Sequence, residues 1–202
     1  MPAHSLRAKP SVLRCSRCGR FVDWEEARLQ TVCGCRPYVK LPPVIIRESQ
    51  PRDQTGIVEL FERDFGYTNI VAFGEEVVLG DAPSLVAWMK GELAGALAYR
   101  LLPDALLILA LATDAMWQRS GVGGHLVAEA ESVARAKGLA RVLVSTTNDN
   151  LPALYFYQRR DYHITEVVPG GLLGHVKEPG TVGFGGIPPR DEIRLERRLE
   201  LT

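Results

Sequence analysis

The run Gln118-Arg119-Ser120-Gly121-Val122-Gly123-Gly124 constrains this chain more than any other stretch. Residues 105–113 before it are uncharged and almost wholly apolar, and read as a buried strand. After it, Val122, Leu126, Ala130, Val133 and Ala134 recur at helical spacing, and Gly138 follows the last of them. The glycines therefore fall where a strand turns into a helix. At such a start the first backbone N–H groups lack intrahelical partners and the helix dipole is positive, so the end attracts anions. Glycine has no Cβ and lets a phosphate reach the backbone. The run reads as a pyrophosphate cradle, and its plain alternative is the ordinary turn of any α/β protein. Two other phosphate motifs are excluded. No Lys follows Gly124 as a P-loop requires, and Leu126 stands where the dinucleotide fingerprint has its third glycine.

Gln118-x-x-Gly121-x-Gly123, after a strand ending Leu111-Ala112-Thr113, resembles the acyl-CoA signature of the GNAT N-acetyltransferase superfamily. A second block, Asn150-Leu151-Pro152-Ala153-Leu154-Tyr155-Phe156-Tyr157 closing on Asp161-Tyr162, resembles that family's N-x-x-A-x-x-F-Y-x-x-x-G-F helix. The segment Gly186-Ile187-Pro188-Pro189-Arg190-Asp191-Glu192-Ile193 is similar to a prokaryotic subgroup whose acceptors are poorly defined. The resemblance spans residues 45–199. It implies a mixed α/β fold, with a mostly antiparallel central sheet and a splayed parallel strand pair ending near Thr113 and Ser145.

It also implies acetyl-CoA as co-substrate and direct transfer to a primary amine. The pantetheine arm would pair with backbone at Leu111, Ala112 and Thr113 like an added strand. The phosphates would sit on residues 118–124, with Asn150 and Ala153 toward the arm. Tyr157, also in reach of the cofactor, takes the place of the acid that protonates the departing thiolate. On spacing alone Tyr157 reads as a core aromatic and Asn150 as a helix N-cap; Tyr155 is a rival on another helix face. Asp161 stands where the family has glycine and Ala115 where proline is frequent. Asp is among the residues that tolerate a left-handed backbone, so a small stability cost is expected.

The general base is not evident. Some family members carry a glutamate on the strand before the signature, yet Leu106 to Leu111 is apolar throughout. Glu192 and Asp191 are the nearest carboxylates by resemblance to the subgroup, with exposed surface charges as the plain alternative. His163, His175 and a water chain complete the set.

All four cysteines of the 202 residues lie in one short segment, Cys15-x-x-Cys18 and Cys33-x-Cys35. Two thiolate pairs complete a tetrahedral S₄ site, and a module this small needs a metal to fold. Disulfides and inert thiols are the alternatives, and clustered usage without a secretion signal favours zinc. The segment resembles a zinc ribbon, with Phe21, Val22, Trp24 and Tyr38 as its filling. The expected organisation is a flexible tail over 1–10, a zinc-ribbon-like module over 11–41, and the acetyltransferase domain over 44–202, with Leu41-Pro42-Pro43 at the boundary.

Charge sums to zero but is uneven, with eight Lys/Arg against three Asp/Glu in residues 1–43. No apolar stretch approaches the ~18 uncharged residues of a membrane span, and the first residues lead into no apolar signal core. A cytoplasmic protein is the expectation.

Along the rest of the chain, residues 44–47 read as a strand, and a helix follows from Pro51 with Ile57, Leu60, Phe61 and Phe65 on one face. Residues 66–83 read as a loop or short helix forming an acceptor wall. Residues 84–89, 92–101 and 105–113 read as a meander turned by Lys90-Gly91 and Pro103-Asp104. Residues 141–145 and 162–168 read as strands, 170–186 as a glycine-rich excursion, and 193–199 as a final edge strand.

Two readings compete with an N-acetyltransferase whose ribbon docks a protein partner or closes over the acceptor. One is an acyl-CoA-sensing adaptor without turnover, favoured by the missing strand glutamate. The other is a ribbon that binds nucleic acid through Arg14, Arg17, Arg20 and Arg36, against which stand its modest net charge and few aromatics.

Overall fold

The structure, a computed structural model, describes residues 43–66, 68–172 and 182–201, and the backbone of four short strands nearer the N-terminus. Those four are β1 (Arg7–Ala8), β2 (Val12–Cys15), β3 (Phe21–Asp23) and β4 (Tyr38–Lys40). Then follow β5 (Ile45–Glu48), α1 (Gln54–Phe65), β6 (Asn69–Ala72), β7 (Glu75–Val78), β8 (Ser84–Met89), β9 (Glu92–Leu101) and β10 (Leu106–Thr113). The remainder is α2 (Val122–Ala136), β11 (Arg141–Thr147), α3 (Leu151–Gln158), β12 (His163–Val168) and β13 (Glu192–Arg198). Two compact units result: residues 1–68, 80–98 and 110–130 form one, and residues 69–79, 99–109 and 131–202 the other.

In the first unit β2 is the middle strand of a three-stranded antiparallel sheet, between β3 and β4. β1 pairs antiparallel with β5, Arg7 opposite Ile46, so two residues of the stretch read as a tail lie in a ladder. β5 pairs antiparallel with β8, and β8 with β9. The β8–β9 hairpin turns at Lys90 (φ 53°) and Gly91 (φ 82°), the pair of left-handed residues that a two-residue hairpin requires.

A 3-10 turn, Pro51–Asp53, leads into α1. The Asp53 carboxylate, 4 % exposed, accepts from the backbone N–H of Gln50 at 2.7 Å and from both arms of the Arg47 guanidinium at 2.5 and 2.9 Å. These bonds, Arg47's foremost, hold the Asp53 carboxyl below the usual carboxylate range. Ile57, Leu60 and Phe61 are buried, as the periodicity predicts, and the helix ends on left-handed Gly66, whose N–H donates to the Glu62 carbonyl.

In the second unit β10 and β11 are parallel, in register from Leu106↔Val142 to Ile108↔Val144, and both strands run on past the last pair. β11 pairs antiparallel with β13, and β13 with β12. The expectation of β13 as an edge strand is therefore corrected: it lies between β11 and β12. Leu106, Ile108, Val142, Val144 and Leu195 are buried, and β10, buried at most of its positions, is the one strand here that read as an apolar run.

The expected loop or short helix over residues 66–83 is corrected in part: a short 3-10 turn, Leu79–Asp81, lies there, but strands precede it. They form an antiparallel hairpin of β6 and β7, turned at Phe73 (φ 54°) and Gly74 (φ 78°). Among the described residues no helix is long and apolar enough to cross a membrane.

Candidate functional site

The glycine run lies in the first unit, between β10 and α2. Asp114 organises its entrance: one carboxylate oxygen accepts from the Met116 N–H at 2.9 Å, and the other pairs with Arg63 at 3.0 Å. A 3-10 turn, Ala115–Trp117, follows. Trp117 and Ser120 are buried, and the Ser120 hydroxyl donates to the Trp117 carbonyl. That pin leaves Arg119 (φ 62°) and Gly121 (φ 88°) left-handed and exposed, and turns the chain into α2.

The first intrahelical bond there runs from the His125 N–H to the Gly121 carbonyl at 3.0 Å. The preceding N–H groups, those of Val122, Gly123 and Gly124, are the ones a helix start leaves open to a ligand. Val122 is buried as the helix's anchor, while Gly123 and Gly124 are partly exposed. The Gln118 amide reaches the Thr113 carbonyl at 3.5 Å, and Leu111 and Thr113 are partly exposed with Ala112 buried between them.

Gly95 on β9 was not singled out from the sequence. A Cβ there would stand 2.9 Å from both the Ala112 carbonyl oxygen and Val122 Cγ1. An isolated glycine inside a strand is the signal of such a close approach.

In the second unit, Asn150 caps α3, its side chain accepting from the Ala153 N–H at 3.1 Å. Tyr157 is 5 % exposed, its ring packed edge-on against Phe156 at 5.1 Å and Tyr162 at 5.4 Å. Burial pushes its phenol well above the ordinary value, so at neutral pH it carries its proton. Tyr155, by contrast, is largely exposed and accepts from Arg159 at 2.8 Å. Asp161 is left-handed (φ 60°), the conformation that glycine would fill there.

Glu192 is buried rather than a surface charge. One of its oxygens accepts from the Phe73 N–H at 2.8 Å, and the other from the Arg194 guanidinium at 2.9 and 3.1 Å. Arg194 also lies 4.7 Å over the Phe73 ring, so β13 grips the β6–β7 turn through both residues. Asp191 accepts from the Gly170 N–H at 2.8 Å, and chiefly for that reason its carboxyl is held below the usual range. His163 is exposed on β12.

Two neighbours in the loop after β11 were also missed. The Asn148 side chain accepts from the N–H groups of Arg190 and Asp191 and donates to the Pro188 carbonyl, tying down the segment that enters β13. Asp149 accepts from the Phe184 N–H at 3.2 Å. Its other oxygen is buried without a partner among the described residues.

His175, Cys18, Cys33 and Cys35 lie outside the described residues, and of Cys15 only the backbone is described. The zinc site read from the sequence is thus not among the described side chains.

The acetyltransferase (GNAT) family profile matches residues 48–162, which take in the cradle and α3. Two Bacillus subtilis proteins are similar in sequence. YxbD is 30% identical over 112 residues, covering 54% of this chain and 69% of its own; YdhI is 32% identical over 114 residues, covering 55% and 70%. Among solved structures, an IAA acetyltransferase from Bacillus cereus superposes with a TM-score of 0.60 at 22% identity, over 77% of this chain and 99% of its own. A Bacillus subtilis acetyltransferase in complex with CoA gives 0.59 at 21% identity, over 80% and 100%. An Elizabethkingia anophelis GNAT acetyltransferase with acetyl-CoA bound gives 0.60 at 21%, over 77% and 98%. At these identities the solved structures speak to the fold, and the profile, matching more than half of the chain, speaks to descent. The chain belongs to the acetyltransferase (GNAT) family, enzymes of the acyl-CoA N-acyltransferase type.

Proposed function

We propose that the protein transfers an acetyl group from acetyl-CoA to a primary amine. The observation that carries this is the start of α2: the bond from the His125 N–H to the Gly121 carbonyl is the first of the helix, so the N–H groups of Val122, Gly123 and Gly124 precede its own acceptors and follow left-handed Arg119 and Gly121, a start suited to a pyrophosphate. Two solved relatives hold CoA and acetyl-CoA, which supports the donor. The arm would add to the backbone of β10 at Leu111 and Thr113, beyond the last residue that pairs with β11.

In the reaction the amine nitrogen attacks the thioester carbonyl, and the tetrahedral intermediate collapses with cleavage of the C–S bond. Tyr157, protonated because it is buried, supplies the proton that the departing sulfur takes. The amine's own proton leaves to solvent. Both oxygens of Glu192 are engaged, which favours a positioning role for it at the Phe73 turn rather than that of a base.

Thiol release from acetyl-CoA, measured with a panel of amines, peptides and polyamines, tests the reading. Gly123→Asp places a carboxylate on the phosphate site and should abolish acetyl-CoA binding in a folded protein. Unchanged affinity by calorimetry would rule the cradle out.

We also propose one structural zinc on Cys15, Cys18, Cys33 and Cys35. Cys15 ends β2 opposite Tyr38 on β4, and in the sequence Cys35 comes three positions before Tyr38. Four thiolates would bind zinc tetrahedrally and hold this small sheet together.

A further inference from the structure

Asp149 lies two residues beyond the end of β11, just before the Asn150 cap of α3. The residue is 9 % exposed, yet only one carboxylate oxygen is bonded: Oδ2 accepts from the Phe184 N–H at 3.2 Å. Oδ1 is buried with no partner among the described residues. A buried carboxylate oxygen left unpaired destabilises the fold, and holding a turn does not require one. The neighbouring Asn148 shows as much, fastening residues 188–191 by three bonds from an uncharged side chain.

The chain facing Asp149 is shaped to its carboxylate. A Cβ on Gly183 would overlap Oδ2 and stand 2.5 Å from Cγ, so no side chain fits there while Asp149 keeps its place. Residues 183–187 form a tight turn: the Gly183 N–H donates to the Ile187 carbonyl at 3.0 Å, and Gly185 (φ 63°) and Gly186 (φ 83°) are left-handed. Beyond the turn the chain is fastened by Asn148, while the turn itself meets Asp149 through that one long bond.

A cationic donor is what Oδ1 lacks. A metal ion would need further ligands, and among the described residues no group of three or more His, Cys, Asp or Glu could hold one. The proposed reaction brings amines, which are ammonium ions at neutral pH. A nearby carboxylate favours that protonated form, which cannot attack a thioester. The amino group it holds is therefore not the one acetylated.

We infer that Asp149 binds a second, unreacted ammonium group of the acceptor, which makes the acceptor a diamine or polyamine. The Gly183–Ile187 turn lifts from the carboxylate, and Oδ1 accepts an N–H of the ammonium. A site built around a buried acceptor discriminates strongly, because a ligand without the matching donor leaves that oxygen unpaired. The inference rests on the proposed acetyl transfer and adds the class of acceptor to it.

Putrescine and butylamine, equal in chain length and differing in one terminal amino group, make the test in the full chain. The KM for putrescine should lie about tenfold below that for butylamine. Asp149→Asn should raise it to the butylamine value at unchanged acetyl-CoA affinity. Gly183→Ala, which displaces the carboxylate, should do the same and takes the place of Asp149→Asn should that variant fail to fold. Independently of turnover, putrescine should raise the Tm of the parent and not that of Asp149→Asn. Equal KM values for the two amines in the parent, or a preference that survives Asp149→Asn, would overturn the inference and leave acetyl transfer standing. A less stable Asp149→Asn that keeps the preference would make Asp149 a pin for the turn alone. If no amine releases thiol from acetyl-CoA, the acetyl-transfer reading fails, while a putrescine Tm shift lost in Asp149→Asn would still seat the ammonium on Asp149.

Discussion

Gly95 lies so close to Val122 that a methyl group on it would stand 2.9 Å from Val122 Cγ1, with Leu126 Cδ1 at 3.2 Å. A strand residue thus fixes how near the first turn of α2 can come. Gly95→Ala should destabilise the protein by about 1–3 kcal/mol, the usual cost of overpacking, and weaken acetyl-CoA binding by moving the cradle. Denaturant unfolding and calorimetry on the same variant read both effects. An unchanged midpoint would show that the helix yields freely.

Tyr157→Phe keeps the packing on Phe156 and Tyr162 and removes the one proton the ring can give. Turnover should fall about 10²-fold, roughly 2.7 kcal/mol of transition-state stabilisation. Acetyl-CoA affinity should hold, since the proposed phosphate site is the backbone at the start of α2 and not this ring. Steady-state kinetics beside calorimetry make the comparison.

The Asp53 carboxyl is held below its ordinary value by Arg47, so its contribution to stability is complete above about pH 4, the unfolded value, and fades as pH falls through the depressed folded one. Asp53→Asn should cost about 3 kcal/mol at neutral pH, because the Arg47 charge loses its partner. It should also flatten the acid limb of the stability curve. Thermal melts of both proteins from pH 7 to pH 2 show whether the two curves converge.

Elemental analysis should find one zinc per chain, and stripping it with a chelator should expose four titratable thiols and unfold the N-terminal sheet. Native protein without metal, and with all four thiols reactive, would end the proposal.

The sequence speaks most clearly where burial is symmetric or the signal is local. β8, β10 and the middle of β9 are mostly buried, so their runs are apolar whatever lies beside them. The glycine turn from β10 into α2 and the Asn150 cap are local too, each written within a few residues. The β6–β7 hairpin was missed because its strands are four residues each, carry Glu75 and Glu76, and turn at Phe73, where a left-handed residue is uncommon. The position of β13 depends on which strands flank it, and an apolar pattern does not encode neighbours. Glu192 looked like one charge in an exposed run because its partner Phe73 is 119 positions away.

β12, rather than β13, is the terminal strand of its ladder, with Ile164 and Val167 about half exposed along it. Such an edge can template aggregation between folded molecules. The bulge at Thr165 interrupts it: the register steps from Ile164↔Leu195 to Glu166↔Arg194, while the Thr165 hydroxyl donates to the Arg194 carbonyl at 3.3 Å. An incoming chain would meet a kinked, discontinuous row of donors and acceptors in place of a straight one. One residue out of register thus makes that edge a poor template for a further strand.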